Sequence, residues 1–204
     1  MAIKIIDKTT LDRKQVLAVI AEADILKSLR HPNILDFKDF FILKDHLCIV
    51  TDLLEMNCLC YVKDNFCNLS EMERKRIFYL ITVSVDHCHK NNVMHRDLKL
   101  DNVLVTVEGK DKKTIRELKL ADFGMACSIS NIQYEQVCGT LGYMAPEILT
   151  GKHKYNQQAD IWSLGVILYN LITGRMPFMG TQSKVFENTL KKEPKYKSAV
   201  WKQF

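Results

Sequence analysis

The sequence predicts an α+β fold of two unequal lobes, split near residues 52–58, with a cleft between them. Two observations carry this expectation. Strand-like runs and a single helical run fill roughly the first quarter of the chain, whereas helical spacing dominates the remainder. The eight residues "HRDLKLDN", 95–102, then set five ionisable side chains and an Asn between a helical run and a strand-like run. So much charge is a poor filling for a core and a suitable lining for a cleft. A length of 204 residues suits one large domain or two small lobes.

The elements run in order along the chain. "MAIKIIDK" is β-rich and alternating, which predicts a strand with Ala2 and Lys4 on one face. Between Asp12 and Arg30 apolar residues fall at Val16, Val19, Ile20, Ala23, Leu26 and Leu29. That is helical spacing, and "HP" at 31–32 ends it. Two strand-like stretches come next, "ILDFKDFFIL" and "HLCIVTDLL". Ser70 with Glu73 makes a capping-box pattern that opens a helix to about Lys90. Strand-like pieces at 103–107 and 117–121 flank the polar insert "EGKDKKT". After "ADFG" a polar stretch without a clear period runs to "GYMAPE". "ADIWSLGVILYNLIT" is apolar almost all round and predicts a buried helix. The segment from 181 is more polar, and no internal repeat is visible.

Composition narrows the function. Hydrophobic residues make up 47% of the chain, enough for a core, and the formal net charge is only +5. The basic residues are scattered, with short knots at "ERKR" and "KDKK", so they read as solvated faces rather than a nucleic-acid surface. The seven cysteines are odd in number and make no CxxC pair; most lie in apolar runs, which predicts buried, reduced thiols and a cytoplasmic setting. "DHCHK" at 86–90 puts His87 and His89 two apart on a predicted helix, so they share no face for a metal. There is no signal-peptide pattern and no apolar run long enough to cross a membrane. Oligomeric state leaves no mark in the sequence.

"AIK" at 2, "HRDLKLDN" at 95, "DFG" at 122 and "APE" at 145 occur in that order. Together they resemble the signature set of eukaryotic protein kinases, and the resemblance covers essentially the whole chain. Lys99 after "HRDL" is similar to the serine/threonine pattern, and "CGTLGYMAPEIL" with "ADIWSLGVILYNLITGRMPF" looks most like the calcium/calmodulin-dependent kinase group. The resemblance implies a two-lobed kinase fold. Residues 1–51 would be the remnant of a small β-rich N-lobe, 52–58 the hinge, and 59–204 a larger, mainly helical C-lobe. It implies transfer of the ATP γ-phosphoryl group to Ser and Thr hydroxyls of protein substrates, with Mg²⁺.

Roles are implied residue by residue. Asp97 would orient or deprotonate the substrate hydroxyl, and Lys99 would set positive charge by the transferred phosphate. Asn102 and Asp122 supply the oxygen ligands that suit hard Mg²⁺. Lys4 would contact the α- and β-phosphates, paired to Glu22 of "EADILKSLRHPNI". His95 and Phe123 would pack with Leu26 and Phe37 between the lobes. Ala2, Leu59 and Leu104 are the expected apolar contacts to adenine. In the hinge "TDLLE", Thr51 matches the position at the back of the adenine pocket, and Asp52 and Leu54 would offer backbone hydrogen bonds to the base. Thr140 would help bind substrate and Lys99. Arg96 before the catalytic Asp implies control through the activation segment, with Ser128, Ser130 and Tyr134 as phosphorylation candidates. Gln136 stands where many relatives carry a phosphorylated Thr, and Glu135 beside it is a built-in acidic substitute. Cys58 and Asn170 replace glutamates found in basic-directed relatives, which argues against Arg-seeking specificity.

No Gly precedes Gly109, so the family's glycine-rich loop and first two strands are expected upstream of "AIK", and its last helices beyond "WKQF". On that expectation Glu147 of "APE" lacks its Arg partner, and the chain holds ATP weakly and turns over poorly. The alternative function is a kinase-like fragment acting as a binding or regulatory module.

Overall fold

The structure, a computed structural model, describes residues 1–109, 114–129, 137–151, 156–196 and 201. Strand β1 (Ala2–Asp7) leads through a 3-10 turn to helix α1 (Arg13–Ser28), then to β2 (Phe37–Ile42) and β3 (His46–Thr51). These three strands form an antiparallel sheet in the order β1-β3-β2, with Ala2 opposite Thr51 and Lys4 opposite Ile49. Asp12 caps α1 and exchanges hydrogen bonds with Gln15 in a capping box, which satisfies the first free amides of the helix.

A second sheet begins directly after the first. β4 (Met56–Asn57) pairs with β6 (Val103–Glu108), which pairs with β7 (Thr114–Leu120). Short β5 (Val93–Met94) pairs with β8 (Cys127–Ser128). Around these pack α2 (Cys58–Asn65), α3 (Glu71–Lys90), α4 (Pro146–Thr150), α5 (Gln157–Thr173) and α6 (Gln182–Lys191). The arrangement is α+β in two parts, a small β-rich one and a larger helical one.

The main core runs from α1 through α3 and β6–β7 to α5, so one apolar body supports both sides of the cleft. Ile34 makes a parallel bridge to Leu120, and the Leu35 amide donates to the Leu120 carbonyl at 2.8 Å. These residues, expected within a strand from 34, instead stitch the first sheet to β7. The expected strand at 117–121 starts earlier, at Thr114, because it extends to match all of β6. Helix α5 is buried along most of its length, as its composition predicts, but Ile161 is 54% exposed. The expectation of mostly buried cysteines is corrected. Cys48, Cys58 and Cys88 are buried; Cys60 and Cys67 are exposed on the outer side and beyond the end of α2; Cys127 and Cys138 are half-buried. No described helix is long and apolar enough to cross a membrane.

Candidate active site

A carboxylate from another element sets the turn at 95–102. Asp160, in the first turn of α5, is 1% exposed. Its Oδ2 accepts the His95 N–H at 3.0 Å, and its Oδ1 accepts the Arg96 N–H at 2.9 Å. His89, near the end of α3, meets the same Oδ2 through Nε2 at 2.8 Å. Three partners thus compensate an anion that would otherwise be costly to bury. Arg96 has φ 67°, a left-handed backbone that costs energy in a residue with a side chain, and the hydrogen bond from its N–H to Asp160 holds it there.

His95 is completely buried and continues the support. Its Nδ1 accepts the Asp97 N–H at 3.3 Å, and its Nε2 donates to the Ala121 carbonyl at 3.0 Å. A carbonyl only accepts, so the ring is the Nε2–H tautomer. Phe123 meets the ring edge-on with centroids 5.0 Å apart. Phe123 and Leu26 belong to the main core, and Phe37 packs against it.

On this base the Asp97 carboxylate gathers three donors. Lys99 Nζ lies 2.8 Å and Asn102 Nδ2 3.1 Å from Oδ2, and the Thr140 hydroxyl donates to Oδ1 at 2.7 Å. Lys99 Nζ also donates to Thr140 Oγ1 at 2.7 Å, closing a triangle. Burial pushes the Asp97 carboxyl up, but bonds from Lys99, Thr140 and Asn102 more than offset it and hold the pKa below its ordinary value. Asn102 Nδ2 also donates to the Asp97 carbonyl at 2.9 Å, which commits the amide nitrogen to Asp97 and leaves Oδ1 for another partner.

Asp122 stands beside Asn102, because the Ala121 N–H donates to the Asn102 carbonyl at 2.8 Å. It is exposed, with φ 58°. A Cβ on Gly124 would lie 3.3 Å from Asp122 Oδ1 and 3.4 Å from Glu22 Oε2, so the bare glycine lets two carboxylates from opposite sides of the cleft approach. Glu22 in turn accepts from Lys4 Nζ at 2.8 Å and 2.9 Å. That pair is lopsided: the Glu22 side chain is 9% exposed, that of Lys4 49%. Asn102 Oδ1 and the Asp122 carboxylate are hard oxygen donors, a set that fits a divalent cation held jointly with phosphate oxygens.

Ala2 is half-buried on β1 opposite Thr51; Leu59 on α2 and Leu104 on β6 are half-buried against the main core; Leu54 is buried in the segment between β3 and β4. The Asp52 N–H donates to the Asp36 carbonyl at 3.2 Å, so its backbone offers a base the carbonyl, not the amide. That carbonyl also accepts the Thr51 hydroxyl at 3.1 Å. The Asp52 side chain lies between Lys119 at 2.8 Å and Lys38 at 3.0 Å. Burial pushes its pKa up, and these two ammonium groups bring it below the ordinary value.

Arg96 Nε donates to the Met125 carbonyl at 2.5 Å, just after Gly124. Ser128 is half-buried and pairs with Val93 across β8 and β5. Ser130 and Glu135, with Tyr134 and Gln136, lie outside the described residues. Glu147 is half-buried in the first turn of α4 rather than fully buried. Sequence reasoning missed Asp160 and His89. The signal was present in "ADIWSLG": a lone carboxylate in a run that is apolar all round needs buried donors from elsewhere.

Residues 1–203 match the family of the protein kinase domain. Serine/threonine-protein kinase 33 of Bos taurus is 34% identical over 206 residues, covering 98% of this chain and 42% of that protein. Serine/threonine-protein kinase SIK1 of Rattus norvegicus is 38% identical over 181 residues, 88% of this chain and 22% of that protein. A probable myosin light chain kinase of Dictyostelium discoideum is 32% identical over 203 residues, 98% of this chain and 57% of that protein. The chain thus spans less than two thirds of the length of each.

Proposed function

The chain belongs to the protein kinase family, and we propose that it acts as a serine/threonine kinase, moving the γ-phosphoryl group of ATP to Ser and Thr hydroxyls of protein substrates. The observation that carries this reading is the Asp97–Lys99–Thr140 triangle. The Thr140 hydroxyl donates to Asp97 at 2.7 Å and accepts from Lys99 at 2.7 Å. A substrate hydroxyl needs the same two contacts, one to orient its proton and one to place positive charge beside its oxygen.

ATP bound with Mg²⁺ supplies the phosphoryl group and the metal charge that neutralises its oxygens. Asp97, held ionised by its three donors, accepts the substrate O–H and aims the oxygen. Lys99 sets its ammonium between Asp97 and the acceptor. Lys4, steered by Glu22, would bind phosphate oxygens, and Asn102 with Asp122 would hold the metal. Ala2, Leu59 and Leu104 would contact adenine, with Thr51 behind it and the Asp52 carbonyl and the Leu54 backbone at its edge. Arg96, beside the start of the activation segment, pairs with an anion there, Glu135 or a phosphate on Ser128 or Ser130. The seven unpaired cysteines support a reducing, cytoplasmic setting.

Replacing Asp97 by Asn keeps the shape and removes the charge. Transfer from Mg-ATP to a generic Ser/Thr protein substrate should fall by about 10²–10⁴-fold. Equal transfer by both proteins would contradict the proposal. Nucleotide binding without transfer in either would favour the binding-module reading.

A further inference from the structure

A cavity of about 390 Å³ lies between α2 and the C-terminal end of α5. Its walls are apolar, from Leu59, Val62 and Phe66, and its charged lining is Lys63 and Arg175. No carboxylate lines it, and among the described residues neither cation is in an ion pair. On the lining Asn170 is 8% exposed, and its amide nitrogen meets the Met176 thioether at 3.9 Å, a weak acceptor that leaves a strong donor underused.

Two chains of contacts link this cavity to the proposed catalytic centre. Helix α2 packs on the turn Leu100–Asn102. Gly142, two residues after Thr140, abuts Met176, since a Cβ there would lie 3.4 Å from its methyl carbon. Met176 in turn touches Asn170. A peptide whose hydroxyl sits on Asp97 therefore passes this groove within a few residues.

We propose that the groove receives an anionic side chain of the protein substrate, a carboxylate or a phosphate, from a residue flanking the phosphoacceptor. The inference rests on the kinase reading of the site. Charge complementarity selects the occupant. Arg175 offers a planar fork that matches carboxylate and phosphate oxygens, Lys63 adds a point charge, and the Asn170 amide donates from beneath. The same cations repel the basic side chains that an acidic groove would favour.

The test is binding, read without turnover. Fluorescent peptides with one Ser acceptor carry Glu, phosphoserine, Ala or Arg at successive flanking positions, and anisotropy gives their affinity for the full chain. At one position Glu and phosphoserine should bind roughly fivefold tighter than Arg, as expected for two partly exposed ion pairs. A larger gain for phosphoserine than for Glu identifies phosphate as the natural partner, and equal gains identify a carboxylate. The double substitution Lys63→Glu with Arg175→Glu should reverse the order, and Lys63→Met with Arg175→Met should abolish it. Equal affinity for Glu and Arg peptides, or a preference that survives charge reversal, overturns the proposal. A chain that prefers Glu peptides yet transfers no phosphate keeps it while refuting the kinase reading.

Discussion

The turn at 95–102 and the sheet β1–β3 both offer charge to the cleft, but they are held in opposite ways. In the turn every functional group has several partners. Asp160 fixes two backbone amides and His89, His95 bridges Asp97 and Ala121, and Asp97 gathers three donors. In the sheet, Lys4 is held by two bonds to one partner, Glu22, and its side chain is 49% exposed. A network with redundant partners keeps its geometry when one contact is lost, whereas a single pair with one partner half in solvent has less to hold it in place. On the proposed reading, the floor that would align the hydroxyl is built in advance, and the part that would grip phosphate is adjustable.

Breaking the floor should have the largest effect. Asp160→Ala leaves the His95 and Arg96 amides buried without an acceptor, and should cost about 3 kcal/mol or more in urea unfolding. A loss below about 1 kcal/mol, the size of an exposed contact, would erase the contrast. Breaking the adjustable side should separate stability from activity. Lys4→Met should lower phosphotransfer by about 10²-fold, since it removes one positive charge from beside the phosphates, while stability falls by under about 1 kcal/mol. A large loss of stability would mean that Lys4 belongs to the framework.

The smallest effect concerns pH. The folded pKa of Asp97 lies below its ordinary value, so its ionised network contributes stability above about pH 4 and loses it as pH falls through the folded pKa. Wild type should therefore lose melting temperature faster than Asp97→Asn on acidification below about pH 4. Parallel curves would indicate that the three donors do not act on the charge.

Legibility in the sequence depended on the range of the interactions. The start of α3 could be read because Ser70 and Glu73 cap it within one turn, and its amides need nothing from elsewhere. The long apolar run of α5 was equally plain. Helix α2 was not foreseen: only Cys58, Tyr61 and Val62 are buried across its eight residues, too short a pattern to separate from the preceding strand-like stretch. Helix α6 buries only Thr189, and its apolar residues Val185, Phe186 and Leu190 are too few within a polar segment to be read as a helix. Strands β5 and β8 exist only by pairing with each other across the turn. The residues that meet at the candidate site could be named from the sequence because one proposed reaction would use them all. The lone carboxylate of "ADIWSLG" marks a buried anchor, but its partners could not be read, because Asp160 meets residues more than sixty positions away in the chain.

Amide hydrogen exchange, with and without Mg-ADP, tests most directly the claim that the floor is prebuilt and the grip adjustable. Without nucleotide, the His95 and Arg96 amides should already exchange slowly, close to the rate of the α3 core, while the amides around Lys4 exchange faster and slow down when nucleotide binds. Fast exchange at His95 and Arg96 that becomes protected only with Mg-ADP would contradict that claim.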